Sequence, residues 1–318
     1  MKWMGERIRY EDEILTTEVG TISLKSPIGM GPALNKDGET TEGFAFLGLG
    51  FITVGSVRRE PNIGNMKPWM VRYEKKESLG NAMGLPSKGV EYVTNKLGTG
   101  QVDVPLIGSV VGEDTEDVLY VCSALEKYVS IIEIDSSCPT FGHEVKFEDD
   151  VSLLDDLLSK VKAVTNRPVF LKISPYNVDS QLEREKLLGI TEKCVKYGVG
   201  ITASNSKRIP ESRLPTGSAG LSGKVLYKNT LSMVKEIVSY THGSIPLIAV
   251  GGVSSGEDAF KLIERGADAI AIVTSFIYNG PGMIPKISRK LAELIRERGF
   301  KSVGELRGYD MSGIKVEA

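Results

Sequence analysis

Residues 246–281, PLIAVGGVSSGEDAFKLIERGADAIAIVTSFIYNGP, decide the fold. Residues 246–250 are a short apolar run that ends in Gly251-Gly252, as a buried strand meeting a tight turn does. Ser254 or Ser255 then supplies a helix cap, with Glu257 and Asp258 in the first turn. Ala259, Leu262 and Ile263 mark the buried stripe, and Gly266 stops the helix. Residues 269–273 are a second apolar strand, closed by Thr274-Ser275. Two buried parallel strands joined by a helix make a βαβ unit. Glycines ending one strand and hydroxyls ending the next suit a backbone-lined phosphate cup, the arrangement found after the last two strands of a (β/α)8 barrel. The plainer alternative is that the glycines only permit a tight turn.

Working outward, the same alternation recurs. Residues 27–31, 50–55, 104–110, 130–134, 168–173 and 199–203 read as six earlier strands. Helical periodicity fills the gaps, as over 151–164, 181–197 and 225–240. The fold class is therefore α/β, a (β/α)8 TIM barrel occupying 1–318 as a single domain. Residues 13–24 read as a short N-terminal β-hairpin around Val19-Gly20 that plugs the barrel floor. A long excursion, 57–87, separates the second strand from its helix. It is rich in Arg, Pro, Gly and Asn, and a structureless loop of that length marks an active-site feature.

Bulk properties exclude several classes. With 318 residues and a net charge of −2, the chain has the size of one barrel and no basic surface for nucleic acid. No run of about 18 apolar residues spans a membrane, and the charged start MKWMGERIRYEDEI is no secretory signal. Three cysteines without CxxC spacing give neither a disulfide framework nor a zinc site. The expected location is cytoplasmic, with no metal.

Barrel chemistry sits at the C-terminal ends of strands. There the sequence places Lys36, Ser56, Asp135 with Cys138, Lys172, Asn205 with Ser206, Gly251-Gly252 and Thr274. Lys172 lies inside the apolar run VFLKI and should point into the barrel. Cys122 and Cys194 fall in helical patterns and read as core filler, whereas Cys138, between Ser137 and Pro139, reads as an accessible base or nucleophile. His143 and His242 read as solvated turn residues. A phosphate cup with a barrel lysine suits flavin mononucleotide, the cation stabilising an anionic reduced ring.

Over about 26–281 the chain resembles the dihydroorotate dehydrogenases. The motifs that carry the resemblance are NKDGE (35–39), GNAMGLPSKG (80–89), EIDSSCPT (133–140), FLKISP (170–175), ASNS (203–206), AGLSG (219–223), AVGGVSSGEDA (249–259) and TSFIYNGP (274–281). The resemblance implies an FMN-bearing barrel that oxidises dihydroorotate to orotate in pyrimidine biosynthesis. The substrate proton would pass from C5 to Cys138, and hydride from C6 to flavin N5. Lys36 would share the catalytic position with Cys138. The substrate would meet Lys36, Asn81, Met83, Gly84, Leu85, Thr140, Asn205 and Ser206. FMN would meet Ala33, Lys36, Ser56, Asp135, Lys172, Ser204, Gly223, Gly251, Gly252, Val273 and Thr274. Asp135 and Thr140 stand where the family usually has asparagine. An ionised Asp135 would repel a substrate carboxylate by roughly 1 to 4 kcal/mol at 4 Å. NKDGE resembles the membrane-associated class and Cys138 the soluble one. The expected acceptor is a soluble molecule or an electron-transfer subunit, and the expected assembly a homodimer. Two alternatives stay open: an FMN oxidoreductase of this fold acting on another substrate, and a non-redox phosphate-binding barrel.

Overall fold

The structure is a computed structural model that describes residues 9–100, 102–137 and 147–311. Strands β1 (Thr17–Val19) and β2 (Ile22–Leu24) pair antiparallel, giving the expected hairpin. Then follow β3 (Ile28–Met30), β4 (Ile52–Val57), β5 (Met70–Tyr73), β6 (Ser78–Asn81), β7 (Leu106–Val110), β8 (Ile131–Asp135) and β9 (Val169–Ile173). The series ends with β10 (Gly200–Ala203), β11 (Lys207–Pro210), β12 (Ser218–Gly223), β13 (Leu247–Val250) and β14 (Ala269–Ile272). Eight of these close a barrel in the order β10-β13-β14-β3-β4-β7-β8-β9. All eight strand positions read from the sequence are occupied. Every neighbour pair is parallel.

Helices fall between the strands because their apolar residues recur at 3.6-residue spacing. In the Val151–Val164 helix, Leu154, Leu157, Leu158 and Val161 are buried on one face, and Asp150 caps the amides of Ser152 and Leu153. Burying each such leucine contributes about 1.5–3 kcal/mol. The Gln181–Tyr197 helix ends at Gly198 in the left-handed region, and the Tyr227–Thr241 helix ends the same way at His242. In the Gly256–Glu264 helix the cap is Ser255, which forms a reciprocal capping box with Asp258.

The barrel interior is sealed from below. Val19 and Leu24 of the hairpin pack with Phe51, Ile107, Ile131, Phe170 and Ile248. Phe51 needs room on β3, and Gly29 supplies it: a Cβ there would lie 2.3 Å from the ring. Cys122 and Cys194 are free buried thiols, as read. Burial pushes Cys122 up to about 12, and it raises Cys194 as well.

The 57–87 excursion is not structureless. It contributes β5 and β6 to a four-stranded antiparallel sheet ordered β11-β12-β6-β5. Asn81 pairs with Gly220 on one side and Met70 on the other. The excursion therefore folds by long-range pairing of β6 with residues 220–223.

Candidate active site

Residues at the C-terminal ends of the barrel strands and from the small sheet enclose a cavity of about 240 Å³. Ala33, Lys36, Ser56, Asp135, Lys172, Ser204, Asn205 and Ser206 line it from the strand ends. Asn81, Met83, Leu85 and Gly223 line it from the excursion and β12, and Gly251, Gly252, Val273 and Thr274 from the last two turns. Thus the structure gathers the expected residues, with three exceptions. Gly84 is not in the lining. It turns the chain at φ +69 with Asn65 packed against it, and its carbonyl accepts from Asn62 Nδ2 at 2.8 Å. Cys138 and Thr140 lie outside the described residues, as does His143.

Lys172 points inward as the alternation requires. It pairs in register with Asp135 of β8 and Thr202 of β10 and is 7% exposed. Among the described residues it makes no ion pair within 4.0 Å. Its own carbonyl accepts the Ser137 hydroxyl at 3.0 Å, and the Ser136 hydroxyl, whose one proton it shares with Glu148, lies 3.0 Å from the same oxygen, which fixes the chain after β8. Asp135 accepts from Ser56 Oγ at 2.9 Å and from Asn205 Nδ2 at 2.9 Å.

Two buried carboxylates escaped the sequence reading. Glu133 sits on the inward face of β8, two residues before Asp135, and its Oε1 has no hydrogen-bond partner among the described residues. Burial raises its pKa, against the pull of Lys172 and with the push of Asp135. The period-2 pattern of IIEID carried that signal. Glu148 accepts from Ser136 Oγ at 2.9 Å, Tyr176 OH at 2.7 Å and the Ser174 amide at 3.1 Å. No local pattern could have found it.

The far side of the cavity is a backbone cup. Gly251 and Gly252 adopt φ +130 and +81, and a Cβ on Gly252 would lie 2.5 Å from the Tyr227 amide nitrogen. The glycine turn therefore lies directly against the start of the Tyr227–Thr241 helix, where the positive end of the helix dipole favours an anion, although the Tyr227 amide itself donates to the Lys224 carbonyl. Thr274 donates to Ser222 at 2.9 Å, and Ser275 donates to the Val253 carbonyl at 2.6 Å, which closes the cup. FMN fits this donor set: the cup suits a phosphate, Ala271 and Val273 give an apolar wall, and Lys172 would supply the cation that a reduced, anionic flavin calls for.

Fold and site together define a flavin-nucleotide-binding (β/α)8 barrel of the oxidoreductase type. The family described as Dihydroorotate dehydrogenase matches residues 14–295, and the chain belongs to that family. Its enzymes are FMN-dependent oxidoreductases that act on the CH–CH group of dihydroorotate in pyrimidine biosynthesis. The mitochondrial dihydroorotate dehydrogenase (quinone) of Arabidopsis thaliana is 30% identical over 97% of this chain and 75% of that protein. The dihydroorotate dehydrogenase (quinone) of a Coxiella burnetii strain is 32% identical over 85% of this chain and 82% of its own length. In structure, the chain matches ligand-free DHODH from Eimeria tenella with a TM-score of 0.87 at 21% identity, over 98% of this chain and 97% of that one. The ferulenol complex of the same protein gives 0.86 at 22% identity, covering 98% and 94%. Among the described residues no helix is long and apolar enough to cross a membrane.

Proposed function

We propose that this chain oxidises dihydroorotate to orotate, with Cys138 receiving the proton from substrate C5 as hydride leaves C6. The observation that carries the reading is the convergence of Lys36, Asn81, Lys172, Asn205 and Ser206 on one cavity beside the glycine cup. Bound FMN supplies the hydride acceptor, at flavin N5. Its phosphate belongs in the cup formed by Gly223, Gly251, Gly252 and Thr274, with Ala33, Ser56, Asp135, Ser204 and Val273 as further contacts. Lys172 places positive charge where the oxidised substrate's electrons arrive. Lys36, Asn81, Met83, Leu85, Thr140, Asn205 and Ser206 orient the substrate so that C5 meets the thiol.

The sequence supports a soluble acceptor or an electron-transfer subunit, whereas the relatives' names specify quinone. The buried free thiols suit the reducing setting of the cytoplasm. A homodimer completes the reading by family analogy.

The test is anaerobic addition of dihydroorotate to the FMN-loaded protein while its visible spectrum is recorded. Rapid bleaching of the flavin band supports the reading. A yellow protein that does not bleach keeps the cofactor and removes the substrate. Offering fumarate, a quinone and a nicotinamide cofactor in turn then identifies the acceptor by which one restores colour.

A further inference from the structure

We propose that Asp135 is the specificity-determining residue of the cavity and that it selects a ring presenting an N–H donor, as a cyclic imide or ureide does. The proposal deepens the dihydroorotate reading and rests on it for the identity of the ring. Asp135 lines the cavity and is 7% exposed. Each carboxylate oxygen takes one neutral donor: Asn205 Nδ2 on Oδ1 at 2.9 Å, and Ser56 Oγ on Oδ2 at 2.9 Å. The second N–H of Asn205 goes to Ser137 Oγ at 3.0 Å, and its carbonyl receives the Ser206 amide at 2.8 Å. Asn205 therefore has no N–H left for a ligand. Ser56 has a single hydroxyl proton, and Asp135 takes it.

The carboxylate has drawn the donors of Asn205 and Ser56 onto itself, so these three side chains together offer a ligand acceptor lone pairs only, and the neighbouring donor is Lys172. An ionised carboxylate has about four acceptor positions, and two protein donors leave room for a ligand N–H. A ligand without one would strand a buried charged acceptor, which costs more than a neutral one. A ligand carboxylate turned this way would be repelled. The ring edge, not the carboxylate, therefore meets Asp135. Asparagine at this position would behave differently, because it puts an NH2 donor in place of one of the two oxygens that now accept separately from Asn205 and Ser56.

The test is calorimetric titration of the FMN-loaded protein and its Asp135→Asn variant with two ligand series. One is orotate and its 1-methyl and 3-methyl derivatives; the other is uracil, 1-methyluracil and 3-methyluracil. Methylation at one of the two ring nitrogens should weaken binding to the unmodified protein by about tenfold or more, and to Asp135→Asn by less than about threefold. Equal binding of parent and methylated rings by the unmodified protein overturns the proposal, as does the same ratio in both proteins. If orotate fails to bind while the uracil series still discriminates, the dihydroorotate reading falls and the role of Asp135 stands. If no ring of either series binds, both fall.

Discussion

The Ser136 hydroxyl donates to Glu148 at 2.9 Å, joining the chain just after β8 to the short helical turn at Phe147–Asp149. Glu148 also takes the Ser174 amide and the Tyr176 hydroxyl, so one buried carboxylate ties the end of β8 to the end of β9. These are the strands that carry Asp135 and Lys172. The spacing between the two charged side chains thus depends on a residue that does not line the cavity.

Removing that tie should be costly. Glu148→Ala would strand the Ser174 amide and the Tyr176 hydroxyl and leave Ser136 only the Lys172 carbonyl, and about 3 kcal/mol of stability should be lost. Glu148→Gln keeps one acceptor oxygen and should lose less than half as much. Urea unfolding measures both. A Glu148→Ala protein within about 0.5 kcal/mol of the parent would show that the Ser174 amide and the Tyr176 hydroxyl find other partners.

Lys172 is a buried cation that lines the cavity where the proposal puts the flavin ring. Lys172→Ala should weaken FMN binding by about tenfold or more, equivalent to about 1.4 kcal/mol, and slow the reduction of whatever cofactor is loaded. Titration of the apoprotein with FMN gives the first number and stopped-flow bleaching the second. If both match the parent, the ring does not lie over this strand.

Much of this site was legible because a barrel strand makes its ends predictable. A buried apolar run fixes the strand, and the next polar residues must lie at the mouth; Ser56, Lys172, Asn205 and Thr274 were all placed that way. The small sheet was not legible. β6 pairs with β12, roughly 140 residues downstream, β5 joins the sheet only through β6, and β5 alternates exposed with half-buried positions, so no apolar face announced it. Glu148 was hidden for a related reason, since its partners are brought together only by tertiary structure. Asp135 was visible as a residue, but its capture of the Asn205 and Ser56 donors became apparent only in the folded chain.

Cys138 carries the proton step of the proposed reaction. Cys138→Ala should retain FMN and lose about 10²- to 10⁴-fold in turnover with dihydroorotate, the usual contribution of a positioned base. Cys138→Ser should recover part of that loss at higher pH, because a hydroxyl is a weaker acid than a thiol. Unchanged turnover in the alanine variant removes the thiol from the mechanism.

The barrel floor offers a packing test remote from the site. Gly29→Ala puts a methyl 2.3 Å from the Phe51 ring and should cost about 1–3 kcal/mol by overpacking. Phe51→Leu alone leaves a void, but combined with Gly29→Ala it should recover part of the loss. The double-mutant cycle would show coupling of the two residues, and strict additivity would mean that the ring moves aside without strain.

Asp268, at the opposite end of the barrel from the cavity, gives the stability a pH dependence. It accepts the Leu247 amide at 2.7 Å and pairs with Arg307 at 2.8 Å, yet burial outweighs both and pushes its carboxyl up to about 6. A carboxyl whose pKa is higher folded than unfolded binds its proton more tightly in the native state. Its stabilising contribution is therefore complete below about pH 4 and is lost as pH rises through about 6. Between pH 4 and 7 the parent should lose roughly 1–3 kcal/mol relative to Asp268→Asn, which has no proton to release. Unfolding free energies of both proteins across that range give the comparison. Parallel curves would mean that Arg307 holds Asp268 ionised throughout, and the ion pair rather than burial would then govern this end of the barrel.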